Sequence, residues 1–135
     1  MPAKLTSYQI AFLQQPHPAV VAATRPDGTP HQTFVWIDTD SGDVLFNTAE
    51  GRAKARYLHD RPTASAIVVD PADDHHWLSV SGPVEFSHDG AYDHINALAR
   101  KYLGDDAAPF PTHEQRVTVR IRPEHVDSQG FDGTS

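Results

Sequence analysis

The stretch Asn47-Thr-Ala-Glu-Gly-Arg-Ala-Lys-Ala-Arg-Tyr-Leu-His-Asp-Arg61 contains the most informative pattern of the chain. It follows an apolar run, Val44-Leu45-Phe46, that is typical of a buried strand, and it continues as a short helical pattern that ends before Pro62. Residues 51–61 carry a formal charge of +3, whereas the whole chain carries −7 at pH 7. A basic segment in an acidic chain, placed where a strand passes into a helix, indicates a local role for positive charge.

One interpretation of this segment is a binding site for an anion such as a phosphate. The start of a helix offers unpaired N–H groups and the positive end of the helix dipole. Asn47, Thr48 and Gly51 supply hydrogen-bonding groups and a flexible backbone, and Arg52 and Lys54 supply charge. On a regular helix Lys54 would point away from Arg52, so we expect Arg52 to lie in the turn before the helix. The alternative is a solvated basic helix face.

Composition restricts the class of protein. The 135 residues fit a single domain, which we predict over residues 1–130, with a flexible C-terminal tail over residues 131–135. The absence of cysteine leaves no disulfide, no thiolate metal site and no thiol nucleophile. No apolar run is long enough to cross a bilayer, so we expect a cytoplasmic protein without a membrane partner. The charge of −7 argues against nucleic acid as a partner.

Short apolar or alternating segments between turn residues predict a mainly β protein. Strands are expected over residues 19–24, 31–37, 44–48, 63–70, 76–86 and 117–121, with a last short strand over 125–130. Asp38-Thr-Asp-Ser-Gly-Asp43 reads as a turn, and Gly82-Pro83 predicts a bulge or bend inside the long fifth strand. Most connections are too short for parallel crossovers, so the strands should form a small antiparallel β-barrel with helices packed on it.

Three helices are expected. The first begins after Thr6, where Gln9 completes a capping box, and runs to about Gln15. The second is the basic helix described above. The third carries apolar residues at helical spacing from Tyr92 to Tyr102; Ser87 or Asp89 should cap its start, and Gly104 fits its end.

Other chemistries find little support in the pattern. The nine histidines include no His-x-His or His-x-x-x-His pair, so no metal site is predicted. The Asp38–Asp43 turn lacks the closing Glu of a calcium loop at the required offset. Gly-x-Ser-x-Gly is absent, and no catalytic residue is identified. Trp36 and Trp77 lie on predicted strands, where each is either a core residue or a platform for a flat ring.

The chain resembles a known family in the run from Phe46 to Leu58, followed by Arg61-Pro62-Thr63 and a strand that ends in Asp70-Pro71. This arrangement is similar to the split β-barrel flavin and deazaflavin oxidoreductases, which are relatives of pyridoxamine-phosphate oxidase. Within them it most resembles the actinobacterial enzymes that use the deazaflavin coenzyme F420. The resemblance covers about residues 6–125 and includes Asp27-Gly28-x-Pro30 and the segment from Leu78 to Glu85.

The resemblance implies an FMN-binding-type split β-barrel with Greek-key-like antiparallel strands, and a homodimer with cofactor sites at its interface. Arg52 and Lys54 match the basic pair that binds the cofactor phosphate, the second strand matches the one beside the ring, and Trp77 matches a position near the cofactor. The cofactor-binding residues implied in this way are Thr33, Phe34, Val35, Trp36, Asn47, Thr48, Arg52, Ala53, Lys54 and Trp77.

The function that the resemblance implies is an F420-dependent reductase that transfers a hydride between the deazaflavin and an unsaturated organic substrate. Two alternatives stay open: an FMN-dependent oxidoreductase of the same fold, and a non-catalytic protein that carries F420 or a flavin. F420 and FMN both contain a phosphate, so the basic segment does not decide between them. The group that supplies a proton to the substrate is not identified.

Overall fold

The computed structural model describes residues 2–131. The strands are β1 (Ala19–Thr24), β2 (Pro30–Val35), β3 (Asp38–Asp40), β4 (Asp43–Ala49), β5 (Thr63–Asp70), β6 (Asp73–Ser87), β7 (Arg116–Ile121) and β8 (His125–Gln129). The helices are α1 (Ser7–Leu13), α2 (Ala53–Asp60) and α3 (Ala91–Leu103). Within residues 2–131, no helix has both the length and the apolar character needed to span a membrane.

The strands form one antiparallel sheet in the order β2-β1-β5-β6-β7-β4-β3, and β8 pairs with β6 outside this path. The sheet is not closed between its edge strands β2 and β3. The mainly β, antiparallel prediction is therefore confirmed. Short loops join the β1–β2, β3–β4 and β5–β6 hairpins, and the remaining pairings bring together strands that are distant in the chain; every pairing is antiparallel.

The long strand β6 belongs to both halves of the sheet. Its first part pairs with β5 and β8, whereas Val84–Ser87 pair with β7. The change of partner occurs at Gly82, where a Cβ atom would lie 1.9 Å from the carbonyl oxygen of Arg122. The pairing contains no bulge here: pairing with β5 continues through Gly82 and Pro83, and the register shift between β5 and β6 lies at Val69/Asp70.

The core lies between the curved halves of the sheet. β4 is buried along its whole length, and β7 contributes Val117, Val119 and Ile121 as its fully buried face. Leu13 from α1 and Leu58 from α2 close the core on the helical side. Phe131 also packs in this core, beside Phe12, which corrects the prediction that the flexible tail begins at residue 131; residues 132–135 lie outside the described part of the chain.

Several local predictions are confirmed by the hydrogen bonds. The Thr6 hydroxyl accepts from the Gln9 amide at 3.1 Å, and Gln9 Oε1 accepts from the Thr6 amide at 2.9 Å, so the capping box is complete. Gly104 ends α3 with a φ of 117°, a left-handed value that favours glycine.

Three local predictions were wrong. Asp38–Asp40 form strand β3 instead of a turn, because they pair with the start of β4 across a tight turn at Ser41 and Gly42. The residue that caps α3 is Gly90, and neither Ser87 nor Asp89 caps the helix with its side chain. Helix α1 ends at Leu13, two residues before Gln15.

We predict that Gly82→Ala lowers the free energy of unfolding by about 1–3 kcal/mol, because the new methyl group overlaps a backbone carbonyl that belongs to the β7–β8 connection. Urea denaturation measures this loss. The matched control is the neighbouring Ser81→Ala, which should change stability by less than about 0.5 kcal/mol. Equal stability of the two variants would contradict the role given to the close approach at Gly82.

Candidate functional site

A cavity of about 400 Å³ lies where the end of β2 approaches β4 and β7. Its walls come from both halves of the sheet and from α2 and α3. Seven of the sequence-predicted cofactor residues line it: Phe34, Val35, Trp36, Asn47, Thr48, Arg52 and Lys54. Segments far apart in sequence therefore meet at one cavity, as the resemblance implies.

Three predicted residues do not line this cavity within the single chain. The indole Nε1 of Trp77 donates to Gln129 Oε1 at 2.9 Å, which places this side chain at the β6–β8 pairing. Ala53 opens α2 and is not part of the cavity wall. Thr33 lies on β2 beside the cavity, and its buried hydroxyl has no hydrogen-bond partner in residues 2–131. The roles of these three residues stay predictions.

The turn before α2 explains how two neighbouring cations reach the same cavity. Gly51 has a φ of 87°, and Arg52 is the N-cap residue with an extended backbone, at φ −72° and ψ 155°. The helix begins only at Ala53. Because Arg52 precedes the first helical turn, its direction is independent of the helical rotation that would separate it from Lys54. The expected position of Arg52 is confirmed.

Lys54 carries the least compensated charge of the cavity. Its side chain is partly buried and makes no hydrogen bond or ion pair with any residue in the described part of the chain. The nearest specific contact is the Phe46 ring, whose centroid lies 6.0 Å from the ammonium nitrogen. Burial, together with repulsion from Arg52 and Arg116, lowers the pKa of Lys54 to about 8. An anion in the cavity would relieve this unfavourable charge.

Arg116, the first residue of β7, is a third cation of the cavity that the sequence reasoning missed. It is only 8% exposed, and its Nε donates to Asn47 Oδ1 at 2.9 Å. Its guanidinium carbon lies 5.4 Å from the Phe110 ring centroid. Burial and the nearby Arg52 lower the pKa of Arg116. The two partners are 69 residues apart, so no motif spacing could have joined Arg116 to Asn47.

Arg52 differs from the other two cations because it has a carboxylate partner. Its Nε and Nη2 atoms donate to the two carboxylate oxygens of Glu114, at 3.2 and 2.8 Å. This contact raises the pKa of Arg52 and lowers the pKa of Glu114. The Arg52 side chain is 57% exposed, so water screens the pair and a ligand phosphate can exchange with the carboxylate.

Trp36 and Tyr102 form an aromatic part of the cavity wall. Trp36 stacks on Tyr102 with ring centroids 5.7 Å apart and an angle of 18° between the planes. The Tyr102 hydroxyl donates to the His17 carbonyl at 2.7 Å and accepts from the Ile37 amide at 3.0 Å, which fixes its ring. Trp36 is thus both packed on a neighbour and part of the cavity wall. Its position is compatible with a packing role and with a platform for a flat ring.

This arrangement can hold an amphiphilic anion. Three cations at one end suit a phosphate, and the aromatic and proline-lined remainder suits a flat ring. Among residues 2–131, no group of three or more histidine, aspartate or glutamate side chains is placed to bind a metal ion.

Comparison with known proteins adds independent information. The profile of the pyridoxamine 5′-phosphate oxidase family matches residues 7–130. An F420 reductase structure superposes with a TM-score of 0.81 at 27% identity, covering 91% of this chain and 98% of that one. No protein of curated function matches this sequence.

Two more distant structures share the fold. The conserved hypothetical protein Rv2991 from Mycobacterium tuberculosis superposes with a TM-score of 0.75 at 20% identity, over 95% of this chain and 86% of that one. HutZ, the heme storage protein from Vibrio cholerae, has a TM-score of 0.70 at 14% identity, over 96% and 97% of the two chains. At these identities the likeness concerns the fold alone.

We predict that Lys54→Met stabilises the ligand-free protein at pH 7 by on the order of 1 kcal/mol, because it removes a partly desolvated charge. The folded-state pKa of about 8 lies below that of the unfolded chain, so the native state binds fewer protons between pH 8 and 10.5, and the penalty that Lys54 places on folding shrinks as pH rises through this range. The gain from Lys54→Met should therefore shrink at pH 10.

Urea denaturation at both pH values measures the gain. The control is Lys4→Met, which removes an exposed lysine and should leave stability unchanged at either pH. A stabilisation equal at pH 7 and pH 10 would show that Lys54 is not held as an unfavourable cation.

Proposed function

Because the chain belongs to the pyridoxamine 5′-phosphate oxidase family, which includes flavin and deazaflavin oxidoreductases, we propose that it is an F420-dependent reductase. In this proposal the cavity between β2 and β4 holds the deazaflavin, and reduced F420 passes a hydride to an unsaturated organic substrate. The observation that carries the proposal is the cluster of Arg52, Lys54 and Arg116 at one end of a cavity with an aromatic wall.

The charges fit the phosphate of such a cofactor. Lys54 has no anionic partner in the described chain, and the partner of Arg52 is an exposed, exchangeable carboxylate. A phosphate would pair with both, at the junction where a helix begins. FMN satisfies the same requirement, so an FMN-dependent oxidoreductase is the second candidate.

One observation favours F420 over FMN: an F420 reductase is 27% identical to this chain over 91% of its length. F420 also carries an acidic glutamate tail that a chain of charge −7 would repel, and the basic segment at residues 51–61 would offset that repulsion locally. Because FMN also contains a phosphate, the basic segment does not decide between the two cofactors. A non-catalytic carrier is the remaining alternative, because a heme storage protein has the same fold.

The chain's own residues bind and orient, while the bound coenzyme supplies the hydride chemistry. Arg52, Lys54 and Arg116 hold the phosphate end, and the Trp36–Tyr102 stack limits the position of the ring. The Tyr102 hydroxyl is committed to two backbone groups, and burial raises its pKa, so it is a poor proton donor. We therefore propose that the proton comes from water, from the substrate itself or from another polar side chain of the cavity.

We also propose that the protein is a homodimer. Phe34 is 80% exposed and Ile67 is 45% exposed, and both are cross-strand neighbours of Val20 on the same face of the sheet. An apolar row of this kind on β2, β1 and β5 suits a partner with the same surface. Phe34 also lines the cavity, so dimerisation through this face would place the cofactor site at the interface.

Titration of the purified, cofactor-free protein with F420 and separately with FMN, followed by ligand fluorescence, tests the cofactor. We expect selective binding of F420. The double variant Arg52→Ala with Lys54→Ala should weaken that binding at least tenfold, because each charge-assisted hydrogen bond contributes about 1.5–3 kcal/mol. The matched control is Arg100→Ala, which removes an exposed cation from α3 outside the cavity.

Each outcome of this titration has a defined meaning. Selective FMN binding would replace F420 by the second candidate. Binding of neither compound would overturn the assignment of the cavity. F420 binding without turnover across enones, quinones and tetrapyrroles would favour the carrier over the reductase.

For the dimer, we predict that Ile67→Asp shifts the protein from dimer to monomer in sedimentation velocity, because a carboxylate cannot be buried in an apolar interface without a partner. The control is Leu103→Asp, at an equally apolar position that is 66% exposed at the end of α3. A monomeric wild-type protein, or dissociation by both variants, would contradict the interface through β1, β2 and β5.

A further inference from the structure

The third cation of the cavity, Arg116, is held in an unusual way. A buried guanidinium is normally paired with a carboxylate. Here Arg116 Nε donates to the neutral amide oxygen of Asn47 at 2.9 Å. The nearest carboxylate oxygen, from Glu114, lies 3.8 Å from Arg116 Nη1. The direction of the guanidinium therefore depends on Asn47, and its positive charge is left largely available to a ligand.

The orientation of the Asn47 amide is set by the contacts of its nitrogen. Its Nδ2 donates to the Ala91 carbonyl at 2.8 Å and lies 3.2 Å from Nδ1 of His94. Both contacts require the NH2 group on this side, so the oxygen must face Arg116. Rotation of the amide by 180° would place its NH2 group against the guanidinium, where it could not accept a hydrogen bond.

His94 completes this chain of contacts. Because Nδ1 lies beside the Asn47 donor, it must be the unprotonated nitrogen, and the ring proton then sits on Nε2. Thr118 Oγ1 is a second neighbour of Nδ1, at 3.3 Å. Nε2 is buried and lies 3.4 Å from Asp38 Oδ2; it has no hydrogen-bond partner within residues 2–131, but the nearness of His94 lowers the pKa of Asp38. The negative charge of Asp38 favours a proton on Nε2, which is the tautomer that Asn47 needs.

From these contacts we propose that His94 is a positioning residue of the anion site: through Asn47 it sets the direction of the Arg116 guanidinium that binds the cofactor phosphate. This inference rests on the proposed function and deepens it. The relay runs from the Asp38 carboxylate through His94 and Asn47 to Arg116, and joins β3, α3, β4 and β7.

The relay has a physical advantage over a direct ion pair. A carboxylate in the place of Asn47 would orient the guanidinium equally well but would neutralise it, and an incoming phosphate would meet a net charge close to zero. With a neutral amide in contact, Asp38 two side chains away and the Glu114 carboxylate no closer than 3.8 Å, orientation is kept and most of the charge is preserved.

Two variants of His94 separate positioning from general structural support. His94→Asn keeps an acceptor at the position of Nδ1, because the Asn side-chain oxygen is at the same distance along the side chain. His94→Leu keeps the bulk and removes the acceptor. The ligands are F420 paired with its phosphate-free deazariboflavin alcohol, and FMN paired with riboflavin. Within each pair, the ratio of the two Kd values reports the contribution of the phosphate-bearing part of the ligand.

For whichever pair the wild-type protein binds, we expect His94→Leu to reduce this ratio about tenfold or more, the usual effect of losing an orienting contact. The Kd of the phosphate-free ring should change by less than about threefold, and His94→Asn should restore most of the ratio. If His94→Leu does not fold, Asp38→Asn provides the same test at a partly exposed position, with an expected reduction of about threefold.

The outcomes distinguish a failure of the relay from a failure of the proposed function on which it rests. Wild-type binding with equal losses in His94→Leu and His94→Asn, or with losses equal for ligands with and without phosphate, would overturn the relay and leave the proposed function standing. Failure of the wild-type protein to bind any of the four compounds would overturn both.

Discussion

The rest of the structure depends on the close approach between Gly82 and the carbonyl of Arg122. It lets β6 leave the neighbourhood of β8 and pair with β7 without a break, so that a single strand serves both halves of the sheet. Any side chain at this position would push the β7–β8 connection away. Since β4 is paired with β7 and β2 is reached through β1 and β5, the positions of both walls of the cavity follow from this one contact.

The cavity in turn gathers like charges that a stable protein would otherwise keep apart. Arg52 and Lys54 follow β4, while Arg116 opens β7, and the pairing of Ala49 with Arg116 brings the three side chains together. Their mutual repulsion and partial burial oppose folding, as the lowered pKa of Lys54 indicates. The burial of apolar side chains from β4 and β7 in the core offsets this cost. Local strain of this kind is typical of a binding site, because a ligand relieves it.

Each cation is controlled by a different kind of partner. Arg52 has an exposed carboxylate that can exchange with a ligand, Arg116 has a neutral amide that orients it, and Lys54 has no polar partner in residues 2–131. An anion that enters the cavity would thus displace the carboxylate partner of Arg52, would find the guanidinium of Arg116 already oriented, and would supply the missing counter-charge of Lys54. The chain as a whole is acidic, so this local arrangement, and not net charge, would account for the proposed affinity for a phosphate.

The amino-acid sequence by itself determined the hairpins, the capping box at Thr6, the strand-to-helix junction at Arg52 and the resemblance that led to the pyridoxamine 5′-phosphate oxidase family. These features depend on neighbours within a few residues, or on a motif within one segment. Only the tertiary structure decided that Arg116 and His94 converge on Asn47, that Asp38–Asp40 form a strand, and that Gly90 caps α3. The contacts of Arg116 and His94 with Asn47 join residues more than 40 positions apart, so packing between distant elements selects them with no signal in the local pattern. Strand β3 pairs with the adjacent start of β4, and Gly90 replaces neighbouring capping residues, so in these two cases the folded structure decided between local alternatives.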